Sequence, residues 1–182
     1  ECHVDAQRRG MIAANHTSTH LLNLALRAHL GEGVDQKGSL VAPDRFRFDF
    51  SYPKAVEAEA LAKIEAKVQH DIREDLTVYA DIAPLYVARN VKGLRAVFGE
   101  QYPDPVRVVS IGVPIRELLD SADNAAWQEV SIEFCGGTHV ESTSQIKTFA
   151  LVSEEAVAKG IRRITALTGV AAHAAFEAAD QM

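Results

Sequence analysis

Two cysteines and one tryptophan are all that this 182-residue chain holds of those residue types. A single possible bridge is too little for a disulfide framework, so a reducing compartment, the cytoplasm, is expected. No apolar run is long enough to cross a bilayer, and no charged start with a short apolar stretch marks a secretory leader, so no membrane partner is expected. An excess of positive charge is missing too. The formal net charge is −6, so the overall field does not attract nucleic acid, and any RNA contact has to come from a local patch. Repeats and low-complexity tracts are absent. The chain begins at Glu1 rather than at a methionine, and reads as a piece excised from a longer protein.

What is present suffices for a buried core. Apolar residues make up 47% of the chain, which at this length supports one domain over residues 1–182. From Arg8 to Leu30, Met11, Ile12, Leu21, Leu22, Leu24, Leu26 and Leu30 share one broad helical face, and Gly31 provides the stop. Arg45 to Phe50 alternates strictly, with Phe46, Phe48 and Phe50 on one side and Arg45, Arg47 and Asp49 on the other. That predicts a half-buried strand, paired with a preceding one through a hairpin at Pro43-Asp44. A helix is expected from Pro53 to about Asp75, a strand over Leu76–Ala83 and a short helix over Pro84–Val91. Further strands are expected at Val106–Val113, Glu129–Phe134, Lys147–Ser153 and Ile161–Leu167, with a loop over Ser121–Trp127 and a final Ala-rich helix from Gly169. Strands in consecutive runs with helices grouped between them predict an α+β fold, its largely antiparallel sheet packed with helices.

The chemistry gathers in two short stretches, His16-Thr17-Ser18-Thr19-His20 and Cys135-Gly136-Gly137-Thr138-His139. Two histidines four apart on a helix stack one turn above the other and can reach one ion without bending the backbone. The paired glycines are expected to take positive φ and to fold Cys135 and His139 toward one point. One thiolate and three imidazoles suit tetrahedral Zn²⁺ and suit Mg²⁺ or Ca²⁺ poorly, since those ions prefer oxygen. The expectation is one zinc per chain on His16, His20, Cys135 and His139, joining the first helix to the Cys-Gly-Gly-Thr-His loop. Cys2 reads as an inert thiol.

Together with Asp35-Gln36-Lys37-Gly38-Ser39, Arg47-Phe48-Asp49-Phe50 and Gly160-Ile161-Arg162-Arg163-Ile164, these stretches resemble the editing domain of alanyl-tRNA synthetase over essentially the whole chain. Tyr102 to Gly112 resembles the eukaryotic cytosolic form, and related modules form the second additional domain of threonyl- and alanyl-tRNA synthetases. The resemblance implies zinc-dependent hydrolysis of mischarged seryl- and glycyl-tRNA(Ala), with tRNA(Ala) and the rest of the parent synthetase as partners. ATP would serve only an aminoacylation domain that this chain lacks. The physical need is clear: an alanine pocket cannot exclude glycine sterically, and serine adds only a hydroxyl, so a second, hydrolytic site must discriminate.

Within that reading Cys135, Gln36 and Thr19 are the candidate catalytic residues. Gln36 and Thr19 are able to hydrogen-bond the serine hydroxyl; a Thr19 hydroxyl bonding back to its own helix is the alternative. Zinc would either activate water or hold the substrate's amino group while a separate water attacks, and four protein ligands make an adaptable site a requirement, with Cys135 the ligand most weakly held or doubly employed. No general base is assigned. Asp49 is a candidate to orient His16 or His20, with an Arg47 ion pair as the other reading. Lys159, Arg162 and Arg163, with Arg8 and Arg9, are candidates for acceptor-end phosphates. The alternatives are a zinc-stapled acceptor-end binding module without hydrolysis and a free-standing trans-editing deacylase. A zinc hydrolase of another class is disfavoured, because no Glu follows the first histidine.

Overall fold

The computed structural model describes residues 2–97 and 99–181. Its organising element is α1, Ala6–Leu30, whose start is capped by Asp5, the side chain accepting from the Arg8 N–H at 2.9 Å. Gly31 ends it at φ 103, a conformation in which a Cβ would be strained. From Ala13 to Leu26 nearly every residue is buried. An exposed helix would show a polar face there, so this segment has protein on several sides.

Two four-stranded sheets account for that burial, where the sequence pattern predicts one. The first comprises β1 (Gln36–Val41), β2 (Phe46–Ser51), β7 (Phe149–Ala158) and β8 (Ile161–Thr168), in the order β1-β2-β8-β7 and antiparallel throughout. The alternation read in β2 holds, with Phe46, Phe48 and Phe50 facing the core beside α1 and α2 (Ala58–Arg73). The second sheet comprises β3 (Val78–Ala83), β4 (Leu94–Arg95), β5 (Val106–Ile111) and β6 (Ser131–Phe134), in the order β3-β5-β6-β4. Only the short β4–β6 pairing is parallel. A smaller core lies on this sheet, built from Val106, Val108, Trp127, Ile132 and Phe134 with α3 (Leu85–Ala88) and α4 (Ile115–Asp120). The fold is α+β, as expected, and α1 touches strands of both sheets.

Several boundaries differ from the sequence reading, each for a local reason. Pro53 lies outside α2, which begins at Ala58, because Tyr52 still donates to the Gly160 carbonyl and so belongs to the sheet edge. Lys147 sits at φ 69 at the end of a 3₁₀ turn, so β7 starts at Phe149, and it then runs to Ala158 rather than Ser153. The stretch expected as a loop holds a 3₁₀ turn, Ala125–Glu129, started by the Asn124 side chain. β4 is two residues long, too short to leave a pattern. The final helix, α5 (Gly169–Asp180), starts where expected.

The Phe48 ring is fully enclosed between β2 and the helices. Phe48→Ala is expected to lower the unfolding free energy by about 3–5 kcal/mol in chemical denaturation. A loss below about 1 kcal/mol would show that the ring is not part of the core.

Candidate metal centre

His16 and His20 project one turn apart from α1, while Cys135 and His139 lie in the loop that leaves β6. One donor atom from each lies within 4.8 Å of the other three. Cys135 Sγ is 3.4 Å from His16 Nε2 and 3.3 Å from His139 Nε2. A tetrahedral ion with M–S about 2.3 Å and M–N about 2.0 Å sets sulfur and nitrogen roughly 3.5 Å apart, so these separations fit one shared ion.

The glycines act differently from the expectation. Neither Gly136 nor Gly137 has positive φ. At Gly137 the reason is space, because a Cβ there would lie 2.1 Å from His16 Cε1, so the imidazole rests directly on the backbone. A Cβ at Gly136 would meet nothing within 4 Å. The loop is pinned from β5, where Arg107 Nη1 donates to both the Cys135 and the Gly137 carbonyls at 2.8 Å. Nothing in the sequence singles out Arg107, since a cation on a strand gives no sign of which carbonyls it meets.

Each imidazole has a partner that orients it. His139 Nδ1 lies 3.1 Å from Thr17 Oγ1, and Thr17 also accepts from the Val140 N–H at 3.2 Å. With its ring oriented by Thr17, His139 is left with Nε2 for a metal. His16 has a backbone hydrogen bond at Thr138. His20 Nε2 stands 3.6 Å from Glu133 Oε2, and Glu133 Oε1 accepts from Asn23 Nδ2 at 2.9 Å, both residues being buried. That leaves His20 Nδ1 buried with no hydrogen-bond partner, the orphaned atom a metal would satisfy. Sequence reasoning finds none of Thr17, Asn23 and Glu133. A signal existed for Glu133, which stands two residues before Cys135, but every residue of β6 is buried and alternation says nothing there.

The electrostatics suit a cation. Burial, followed by the charges of His16, Arg107 and Arg95, lowers the pKa of His20 to about 3. Burial, then His20 and His16, takes His139 to about 2, and burial lowers His16 as well. The three rings are therefore neutral at pH 7, the form that ligates. Burial raises the Cys135 thiol, and a bound cation would supply the charge that favours its thiolate. Glu133 is raised by burial, against the opposing Asn23 hydrogen bond and Arg95.

The other residues singled out from sequence lie apart from this cluster. Asp49 does not meet an imidazole or Arg47; it accepts both ends of the Arg163 guanidinium at 2.7 and 2.8 Å across the β2–β8 pair. Arg47 Nε is buried without a partner. Arg162 makes a two-point ion pair with Glu154 on β7. Lys159 is exposed in the β7–β8 turn. The Thr19 hydroxyl bonds back to the His16 carbonyl at 2.7 Å. Gln36 Nε2 donates to Ser39 Oγ at 3.2 Å, and Gln36 lines a cavity of about 100 Å³ that it shares with Asn23 and Glu133.

Comparison with known proteins agrees with this constellation. The family model described as "Threonyl and Alanyl tRNA synthetase second additional domain" matches residues 106–165. The mitochondrial alanine–tRNA ligase of Saccharomyces cerevisiae is 55% identical over 97% of this chain, and the alanine–tRNA ligase of Candida albicans is 57% identical over 93%. The cytoplasmic alanine–tRNA ligase of Dictyostelium discoideum is 50% identical over 97%. The comparisons thus support a second additional domain of the synthetase class. Within that class the chain matches a segment of alanine–tRNA ligases, and it spans 18%, 17% and 19% of the lengths of these three relatives.

Elemental analysis of freshly purified protein should find about one zinc per chain. Gly137→Ala should lower that content by displacing His16, whereas Gly136→Ala should leave it unchanged; equal content in both variants would overturn the role given to the close approach. Protonation is disfavoured in the fold because His20 titrates near 3 against about 6.5 when unfolded, so this stabilisation is complete above about pH 6.5 and is lost as pH falls toward 3. Thermal melting should therefore weaken progressively through that window, together with metal release.

Proposed function

We propose that this chain is a proofreading module that hydrolyses mischarged seryl- and glycyl-tRNA(Ala), residues 1–182 working as one unit of a longer synthetase. The observation that carries this reading is the set of four donor atoms within 4.8 Å, in a chain at least 50% identical to alanine–tRNA ligases of three organisms. In the net reaction water adds to the ester carbonyl, the bond to the ribose oxygen breaks, that oxygen takes a proton, and a free amino acid leaves. A bound Zn²⁺ supplies Lewis-acid polarisation and a fixed attachment point.

The chain's own groups set geometry and selectivity. Thr17, Glu133 and the Thr138 backbone hold the rings in ligating orientations, and Arg107 fixes the carbonyls of the ligand loop. Gln36 gives one N–H to Ser39 and keeps its amide oxygen for another partner, and we assign it the serine hydroxyl. Thr19 has used its proton on the His16 carbonyl, so its oxygen offers acceptor capacity only. Arg162 and Arg163 are each clamped by a carboxylate, so a phosphate would have to compete with Glu154 or Asp49; Lys159 has no ion-pair partner among the described residues and is the first choice for the acceptor end. The cytoplasm is the proposed compartment, supported by the two unpaired cysteines and by the cytoplasmic relative. No helix among the described residues is long and apolar enough to cross a membrane.

Deacylation of seryl-, glycyl- and alanyl-tRNA(Ala) tests the proposal. Cys135→Ala should abolish hydrolysis of the first two. Gln36→Ala and Thr19→Ala should each slow seryl-tRNA more than glycyl-tRNA, by up to about tenfold, the value of one hydrogen bond to a neutral partner. Equal losses on the two substrates would make these residues positioners of the ester. Tight binding of tRNA(Ala) with no hydrolysis by metal-loaded parent protein would replace the enzyme with an acceptor-end binding module.

A further inference from the structure

Three consecutive hydroxyls on α1 are used in two different ways. Ser18 donates to the Ala14 carbonyl at 2.8 Å and Thr19 to the His16 carbonyl at 2.7 Å, so both bond back to their own helix. Thr17 turns away from it. Fully buried, its oxygen faces the ligand loop, where it accepts from the Val140 N–H at 3.2 Å and meets His139 Nδ1 at 3.1 Å. An oxygen that already accepts the Val140 N–H still has its own proton to give. Among the described residues, the acceptor within its reach is His139 Nδ1.

The two rings beside Cys135 differ in what holds their far nitrogen. His16 has a backbone hydrogen bond at Thr138, and a carbonyl can only accept, so His16 keeps its proton on that side and turns a bare Nε2 toward Cys135 Sγ at 3.4 Å. His16 is already the ligating tautomer. His139 faces a hydroxyl instead, and a hydroxyl gives or accepts with equal ease. When Thr17 gives its proton to Nδ1, a neutral imidazole carries its own on Nε2, which stands 3.3 Å from Cys135 Sγ. The thiol proton then goes to His16 Nε2. Val140, Thr17, His139, Cys135 and His16 thus form one head-to-tail chain of donors ending on the Thr138 carbonyl. Coordination demands the other sense at its first ring. For Nε2 to ligate, the His139 proton must sit on Nδ1 and point at the Thr17 oxygen. The ring loses one proton and gains one, while the thiol gives its proton to solvent.

We propose that Thr17 is a positioning residue whose hydroxyl reverses when an ion binds, donating to His139 Nδ1 in the metal-free protein and accepting from Nδ1–H in the loaded one. The inference rests on the zinc reading of the four donors and is independent of hydrolysis. Only a hydroxyl serves both senses. A carbonyl in its place would hold His139 permanently in the ligating form, and a hydrocarbon would hold it in neither. In the loaded protein the Thr17 proton needs a new acceptor, and a helix carbonyl one turn back is the kind that Ser18 already uses. The chain therefore closes on itself without an ion, keeping the donors together, and opens at one rotatable O–H when the ion arrives.

Long-range nitrogen–proton magnetic resonance on the full chain, labelled at its histidine nitrogens, reads the tautomer of each ring. In chelator-treated protein His139 should carry its proton on Nε2 and His16 on Nδ1. Added zinc should move the His139 proton to Nδ1 and leave His16 as it was. Thr17→Val should bind zinc about 10–100-fold more weakly in chelator competition, because the ligating ring loses the acceptor for its N–H. Its metal-free His139 should also lose the preference for Nε2–H, and Thr17→Ser, which keeps the hydroxyl, should restore both properties. Should Thr17→Val fail to fold, the two spectra of the parent decide alone. A His139 proton on Nδ1 before zinc is added, an unchanged tautomer afterwards, undiminished zinc affinity in Thr17→Val, or no recovery in folded Thr17→Ser would each overturn the proposal. Zinc binding and seryl-tRNA hydrolysis by a parent whose His139 never changes tautomer would sink this inference alone. The full exchange in a protein that deacylates nothing would sink only the hydrolytic reading.

Discussion

Three imidazoles and a thiol are crowded together, His20 buried and the other three half-buried, and the rest of the structure is arranged around keeping them there. Such a cluster resists protonation, because each imidazolium would face burial, its neighbours and Arg107 at once. It stands either as neutral rings or as the coordination sphere of a cation, for which structural zinc in small domains is worth about 10–16 kcal/mol. Since the ligands come from α1 and from a loop 119 residues later, the same cation would staple the two sheets' common helix to the end of β6. Metal and fold are therefore expected to be linked, with little rigidity in the ligand loop beyond what Arg107 provides when no ion is bound.

α1 is unusual in burying polar side chains along its middle turns. His16, Thr17, His20 and Asn23 lie within little more than two turns of one another, and none is idle, for two belong to the group that could hold a metal, one holds His139 and one holds Glu133. An apolar stripe alone would have packed the two sheets together. The polar ladder costs desolvation and is compensated by a bond at nearly every member, while His20 Nδ1 and Asn23 Oδ1 remain as exceptions. A metal would satisfy the first of these atoms, and the second borders the cavity lined by Arg95.

The charge pattern bears on how a net acidic domain would engage RNA. Arg162 and Arg163 look like a basic patch in sequence, but each is neutralised by a carboxylate on the neighbouring strand, Glu154 or Asp49, so they brace the β2–β8–β7 sheet. A chain with this field gains little from long-range attraction and depends on close contacts near the site, or on other parts of a longer protein. The relatives are more than five times as long as this chain, which is consistent with that division of labour.

Periodicity is a local property, and it is legible wherever one face of an element meets one core: α1 with its glycine stop, the Phe46-Phe48-Phe50 alternation, the hairpin, and the start of α5. The gathering of four donors is legible as well, because coordination chemistry restricts residue types and because i,i+4 spacing fixes relative position within a helix. What crosses between distant segments is not. Asp49 reads equally well as a partner for histidine, for Arg47 or for Arg163, and only the β2–β8 register puts Arg163 opposite it. Glu133, Arg107, Thr17 and Asn23 carry no local mark of their roles, since each depends on which strand or turn lies beside it. Local sequence therefore dictates the elements and the four donors. The second sheet, the partners of every donor and the cavity at Arg95 were settled by packing, because register and burial follow from contacts between residues the chain keeps far apart.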